Sequence, residues 1–185
     1  VELFELLISS SEKKENGVVY TPSVIKDYIV NKCLNAEFVP FTIVPACGCG
    51  SFLITVAERL HDKYGVSFFE AVSKYLYGVD IDENAIRKAK ILLTPLACEH
   101  GEYESLVFNL ICSNMLDKNT IIKLKNLCPS GFDYVVGNPP YVRSRNISDD
   151  VKRFFGNWET SVVGNIDLYI PFFELGLELL KPTGK

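Results

Sequence analysis

The stretch Phe41-Thr-Ile-Val44-Pro45-Ala46-Cys47-Gly48-Cys49-Gly50-Ser51-Phe52-Leu53 changes its period midway. Phe41 to Val44 is a short apolar run, which reads as a buried strand. From Ser51 the apolar residues Phe52, Leu53, Val56 and Leu60 recur at helical spacing, which reads as a helix to about Leu60. Gly48 and Gly50 lie between, where a backbone that turns tightly can also approach a ligand closely. A strand that runs through a glycine turn into a helix is the unit from which parallel α/β sheets are built. Taken alone the turn is weak evidence for a ligand, because glycines punctuate many such junctions.

The same alternation extends outward. Downstream, Ser67 to Leu76 reads as a helix, Tyr77 to Asp80 as a strand and Glu83 to about Leu96 as a helix. Leu106 to Cys112 and Tyr134 to Val136 read as strands. A long helix is expected over Asp167 to Leu180, with Leu168, Phe172, Leu175 and Leu179 on one side and Pro182 and Gly184 stopping it. Upstream, Thr21 and Pro22 read as an N-cap and N1 proline, opening a helix with Val24, Ile25, Tyr28 and Ile29 on its inner face. The expected class is therefore α/β, with a doubly wound, mostly parallel sheet whose ligand sits beyond the carboxyl ends of the strands. Such a sheet normally continues after its last helix. The domain is thus expected to be C-terminally incomplete, with the strand around Val135 left as an open edge.

Composition excludes several classes. The chain has 185 residues, 48% of them apolar, enough for one domain with a core. Its start lacks the features of a signal peptide, and no stretch reaches the ~18 apolar residues of a membrane span, so a cytoplasmic protein with no membrane partner is expected. Six cysteines without a CxxC pair, and two histidines, make a metal site unexpected; the thiols are expected to be reduced and mostly buried. The net charge is −4, and basic residues occur only in short clusters such as Arg143/Arg145. Phosphate-gripping surfaces are usually basic, so either the chain does not bind nucleic acid or that part lies elsewhere.

The turns after the strands carry the chemistry. Asp80 ends the second strand, where a carboxylate suits the two hydroxyls of a ribose. The glycine turn and Asp80 together point to a nucleoside-containing cofactor without choosing between NAD and S-adenosylmethionine. Asn114, in the third turn, could accept a hydrogen bond from an adenine amino group; such a residue is more often only a turn former. After the fourth strand comes Asn138-Pro139-Pro140-Tyr141. Adjacent prolines stiffen the backbone and remove two N–H donors, leaving carbonyls beside the Asn138 amide oxygen. Such a site can hold an exocyclic amino group by both hydrogens, and Tyr141 offers a flat ring for a base.

On these motifs the chain resembles the N6-adenine DNA methyltransferases of restriction–modification systems over about residues 14–185. Gly17-Val-Val-Tyr20-Thr21-Pro22 is similar to an upstream element that lines the cofactor pocket. Pro45-Ala46-Cys47-Gly48-x-Gly50 resembles the first motif, Asp80 with Ile81 the ribose-binding position, and Asn114 with Met115 the adenine-contacting turn. Asn138 to Tyr141 resembles the catalytic motif. Asp167-Leu-Tyr169-x-x-Phe172 is similar to a following helix whose aromatic, Phe172, faces the cofactor adenine. The motif order is that of the gamma arrangement, seen also in the methylase part of fused type II restriction–modification enzymes.

The resemblance implies a class I S-adenosylmethionine-dependent fold. Residues 1–36 would be an N-terminal helical segment and 37–185 a Rossmann-like core. S-adenosylmethionine is the implied cofactor. The implied partner is double-stranded DNA, reached through a recognition domain absent from these residues, with a nuclease fused or associated. In one departure the acid usual before Pro-Ala-Cys is Val44, implying a weaker hold on the cofactor's methionine end that Val44→Asp should tighten. In another, Asn114 stands where Asp is common. The implied reaction is methyl transfer to an adenine flipped from the duplex. The alternatives are a protein glutamine N5-methyltransferase, whose substrate is also a planar amide nitrogen, and a non-catalytic S-adenosylmethionine-binding module of a restriction system.

Overall fold

The computed structural model describes residues 21–99, 106–161 and 166–185. Four strands, β1 (Thr42–Pro45), β2 (Leu76–Asp80), β3 (Asn109–Cys112) and β4 (Tyr134–Val135), form one parallel sheet in the order β3-β2-β1-β4. Thr42 pairs with Leu76 on one side and Tyr134 on the other, and Tyr77 with Asn109. The crossovers carry α2 (Ser51–Tyr64), α4 (Glu83–Glu99) and α5 (Lys118–Leu127), while α1 (Ser23–Cys33) precedes β1. A short α3 (Phe68–Glu70) tightens into one π-helical turn, Ala71–Tyr75, that feeds directly into β2. After β4 come α6 (Asp149–Lys152), two 3-10 turns (Phe155–Asn157 and Glu159–Ser161) and α7 (Ile170–Leu179).

Side chains alternate across a strand, and here both faces are buried. Val44, Leu76, Tyr134 and Val136 join the core made with α1, α2 and α4, including Val30, Leu53, Val56, Leu60 and Ala89. Ile43, Tyr77 and Val79 face the other way, onto Ile121 and Leu124 of α5, Trp158, and Leu175 and Leu179 of α7. The doubly wound architecture expected from the sequence is the one found.

Several local expectations change. The helix after Thr21 begins at Ser23, with Pro22 as its N-cap and no side-chain cap; the Pro22 carbonyl accepts from the amides of Ile25 and Lys26. Of its expected inner face, Val24, Ile25 and Tyr28 are exposed and Ile29 packs against the core. Val30 and Leu34 enter the core instead. Lys26, one turn earlier on the same stripe, is buried and bonds Ser51 at the start of α2. The thiols are less buried than expected: Cys47 and Cys128 are inside, Cys33 and Cys49 half-buried, and Cys112 exposed.

The outer edge of β4 is also occupied rather than open. The Val135 amide donates to the Lys185 carbonyl (2.9 Å) and the Lys185 amide to the Asp133 carbonyl (3.0 Å). Buried Asp133 fixes this strand at its start, accepting from the Phe41 amide (2.8 Å) and from Lys181 Nζ (2.8 Å).

Candidate active site

Because the strands are parallel, the segments after Pro45, Asp80, Cys112 and Val135 all emerge at one edge of the sheet. The glycine turn is built from left-handed backbone: Ala46 has φ 55°, Gly48 54° and Gly50 93°. At Gly50 a Cβ would stand 3.0 Å from that of Ala89, so glycine there also lets α2 pack on α4. At Gly48 a Cβ would meet nothing within 4 Å.

Asp80 ties this turn to β2. One carboxylate oxygen accepts from the Gly48 amide (2.7 Å) and the other from the Asp82 amide (2.9 Å). Burial raises its pKa, and these amide bonds pull it partly back. Ile81 beside it is 62% exposed, an apolar side chain turned to solvent at the strand end. Burial, reinforced by the charge of Asp80, pushes the Cys47 thiol well above its ordinary value, so it stays protonated at neutral pH.

The Asn114 amide oxygen accepts from the Leu116 amide (2.9 Å), closing the turn on itself. Met115 is buried in the core with Leu116 and Ile121, so any contact it makes with a ligand in the cleft is through its backbone. The Leu116 carbonyl receives two donors from far along the chain, Trp158 Nε1 (2.9 Å) and Asn157 Nδ2 (3.2 Å).

A cavity of about 810 Å³ opens beside the first and fourth turns. Thr21, Pro45, Asn138, Pro139, Tyr141 and Phe172, all singled out from the sequence, line it. Asn138 Nδ2 donates to Thr21 Oγ1 (3.1 Å), a bond spanning 117 positions. The hydroxyl read as a helix cap is thus turned onto the Asn-Pro-Pro-Tyr motif. Gly137 lets that motif pass close to β1, since a Cβ there would lie 3.2 Å from the Pro45 carbonyl.

Ala46, Cys47, Gly48, Gly50, Asp80, Ile81, Asn114, Met115 and Pro140 do not line this cavity. Gly48 and Asp80 meet through their hydrogen bond, and Asn114 follows Ser113, whose amide donates to the Asp80 carbonyl (2.8 Å). Tyr20 lies outside the described residues. Among the described residues there is no cluster of histidine, cysteine and carboxylate side chains fit to hold a metal, and no helix long and apolar enough to cross a membrane.

Sequence reasoning passed over two features. Tyr169 was read only as part of a helix element, yet its ring lies 5.8 Å from that of Tyr141 and lines the cavity. Trp158, wholly buried, is the single tryptophan of the chain, and that rarity was the one available signal.

Residues 74–185 match the Eco57I restriction-modification methylase family. The Type II methyltransferase M.XhoI of Xanthomonas vasicola is 45% identical over 185 residues, covering 92% of this chain and 33% of that protein. A Listeria monocytogenes protein described as a class I S-adenosylmethionine-dependent methyltransferase has the same fold. It shows a TM-score of 0.64 and 22% identity, covering 98% of this chain and 47% of the other. The DrdV–DNA complex shares the fold too, with a TM-score of 0.69 and 16% identity over 99% of this chain and 21% of that one. The chain spans about a third of the length of the curated relatives it matches.

Proposed function

Since this chain belongs to the Eco57I restriction-modification methylase family, we propose that it performs the catalytic step of a DNA methyltransferase, moving a methyl group from S-adenosylmethionine to N6 of a flipped adenine. The observation that carries this reading is the Asn138-Thr21 contact inside a cavity also lined by Pro139 and Tyr141. It holds the amide nitrogen toward Thr21, at the wall of that cavity.

The residues fit the cofactor. The cavity, with the volume of a small-molecule site, would take the base and the methyl end, and the nucleoside would lie outside it on the neighbouring turns. Gly48 leaves open space where any side chain would intrude. Each Asp80 oxygen accepts one amide and keeps a further lone pair for a hydroxyl. Gly48, Gly50, Asp80 and Ile81 would hold the nucleoside, with Asn114 and Phe172 toward its adenine. Tyr20, Thr21, Pro45, Ala46 and Cys47 would complete the pocket. When bound, S-adenosylmethionine supplies an electrophilic methyl on a sulfonium.

The rest is done by this chain's own atoms. Tyr141, 52% exposed, receives the face of the base. The Asn138 amide oxygen and the Pro139 carbonyl each accept one amino hydrogen. Both bonds draw electron density onto the nitrogen and aim its lone pair along one line. Catalysis is then positioning and electrostatics. The nitrogen gives up one proton as its bond to the methyl carbon replaces that carbon's bond to sulfur, whose electron pair stays on the sulfur; amide oxygens are too weakly basic to keep the proton, and it passes to solvent.

Two further features support DNA over a glutamine side chain: the restriction–modification family itself, and the DNA bound in the DrdV structure that shares the fold. Relatives about three times as long support a recognition segment beyond these residues. The test is to express the protein in a host without adenine methylation and digest its DNA to nucleosides. N6-methyladenine at a low level and at no defined sequence is expected, and Asn138→Ala should lower it at least about 100-fold with cofactor affinity within a few-fold. Methyl on cytosine N4 or on protein glutamine would overturn the reading.

A further inference from the structure

The segment that leaves the Asn-Pro-Pro-Tyr motif is anchored at two points and turned outward between them. Val142 is buried, and its carbonyl accepts from the Leu168 amide (2.9 Å). Ile147 is buried as well. Between them Ser144–Asn146 form a 3-10 turn, with the Asn146 amide donating to the Arg143 carbonyl (2.8 Å). Tyr141, Arg143 and Arg145 are exposed. Tyr141 lines the cavity, and Arg143, two residues on with buried Val142 between them, is exposed close by in the chain.

Further along the same segment Lys152 and Arg153 are matched to Asp149 and Asp150. No ion pair among the described residues includes Arg143 or Arg145. Both side chains are exposed at this 3-10 turn. In a chain of net charge −4 they form a local positive point beside the ring that would take the base.

We propose that Arg143 and Arg145 grip the DNA phosphates flanking the flipped nucleotide, an inference that rests on the reading of Tyr141 as its base-stacking residue. The guanidinium is planar and always charged, and its forked donors match phosphate oxygens two at a time. A nucleotide drawn out onto Tyr141 brings its own two phosphates with it. Fixing them there compensates for the overall negative field of the chain, and it orients the strand without reading its sequence.

The experiment measures binding of the chain to a fluorescein-labelled duplex carrying one unpaired adenine, over roughly 50 to 200 mM NaCl, with S-adenosylmethionine titrated calorimetrically into the same preparations. Each phosphate contact contributes about 0.9 to the slope of log K against log salt. The slope should fall by about 0.9 in Arg143→Gln or Arg145→Gln and by about 1.8 in the double variant. Thermal unfolding and cofactor affinity should stay as in the parent. Lys123→Gln, which removes an exposed charge on α5, should leave the slope unchanged. An unchanged slope in the double variant, an equal fall with Lys123→Gln, or no duplex binding at the lowest salt overturns the proposal. Cofactor binding without duplex binding sinks the arginine grip alone; loss of both sinks the methyltransferase reading with it.

Discussion

Asp80 ends β2 with its carboxylate buried, burial raising its pKa and the backbone amides of Asp82, Gly48 and Ile81 opposing the rise. A carboxyl raised in the fold contributes stability that is fully present in acid and lost as pH rises through the folded value. Ribose hydroxyls donate to the ionised form, so the sign for the ligand is the reverse. Cofactor affinity should decline as pH falls, beginning above the ordinary aspartate value of 3.8. Asp80→Asn should bind more weakly and lose that dependence; a calorimetric pH series checks both, and a flat wild-type profile would remove Asp80 from the ribose. Val44 carries a different lesson. Its side chain is 1% exposed, packed in the core with Val30, Leu53 and Val136. The resemblance makes Val44→Asp a gain in affinity, but the structure makes it a carboxylate placed among apolar neighbours. Cofactor-free Val44→Asp should lose at least about 2 kcal/mol of unfolding free energy, read by denaturant titration; unchanged stability would mean the carboxylate reaches solvent or a partner. Asp80 and Asn138 were legible because strand ends and proline pairs leave marks in sequence. The use of the Asn114 oxygen by Leu116, and the burial of Met115, leave none, since a turn's composition does not say which of its atoms are already taken.

At the scale of elements the glycine turn separates two demands that one sequence motif combines. Gly50→Ala meets Ala89 and an unfavourable φ of 93° together and should cost about 1–3 kcal/mol of stability. Gly48→Ala finds open space and a φ of 54°, for a backbone cost of about 1–2 kcal/mol. Its larger effect should be on cofactor affinity, because its methyl group would project into the nucleoside's place. Melting curves with and without S-adenosylmethionine distinguish the two; a Gly48→Ala protein that binds normally would put the cofactor elsewhere. The period of apolar residues made β1, β2 and α2 legible to within a few positions. It failed for most of α1, where Val24 and Tyr28 are exposed and Ile25 lines the cavity, while Ile29 packs against the core as well as lining the cavity. Helix α5 was not anticipated at all. Its five lysine and asparagine residues dilute the apolar stripe, although Asp117, whose side chain accepts from the Asn119 amide, is a readable cap. The π-helical turn before β2 left no signal, because an extra residue per turn is invisible to a pattern of period 3.6.

For the molecule as a whole, the net charge of −4 and the small number of outward cations near the cleft set a limit. These 185 residues alone should bind duplex weakly and methylate no defined sequence, since base readout needs groups that reach into a groove. Mapping N6-methyladenine in plasmid treated with the chain is the check, and modification at one fixed sequence would show that readout lies within it. The parallel sheet and its two cores were foreseeable because alternation of strand and helix allows few other architectures. The long segment between β4 and α7 was not, because it is fixed by single atoms: Glu174 accepts from the Glu159 and Thr160 amides, and Trp158 and Asn157 share the Leu116 carbonyl. That shared oxygen joins the loop following Asn-Pro-Pro-Tyr to the turn that holds Asn114. On the proposed reading a ligand at either place orders both, and the first occupant spares the second part of that ordering. Binding should therefore be cooperative and, by thermodynamic necessity, reciprocal: the factor by which duplex tightens S-adenosylmethionine is the factor by which S-adenosylmethionine tightens duplex. Trp158→Phe, which keeps the packing and deletes the N–H, should shrink that common factor toward one while moving the two separate affinities far less.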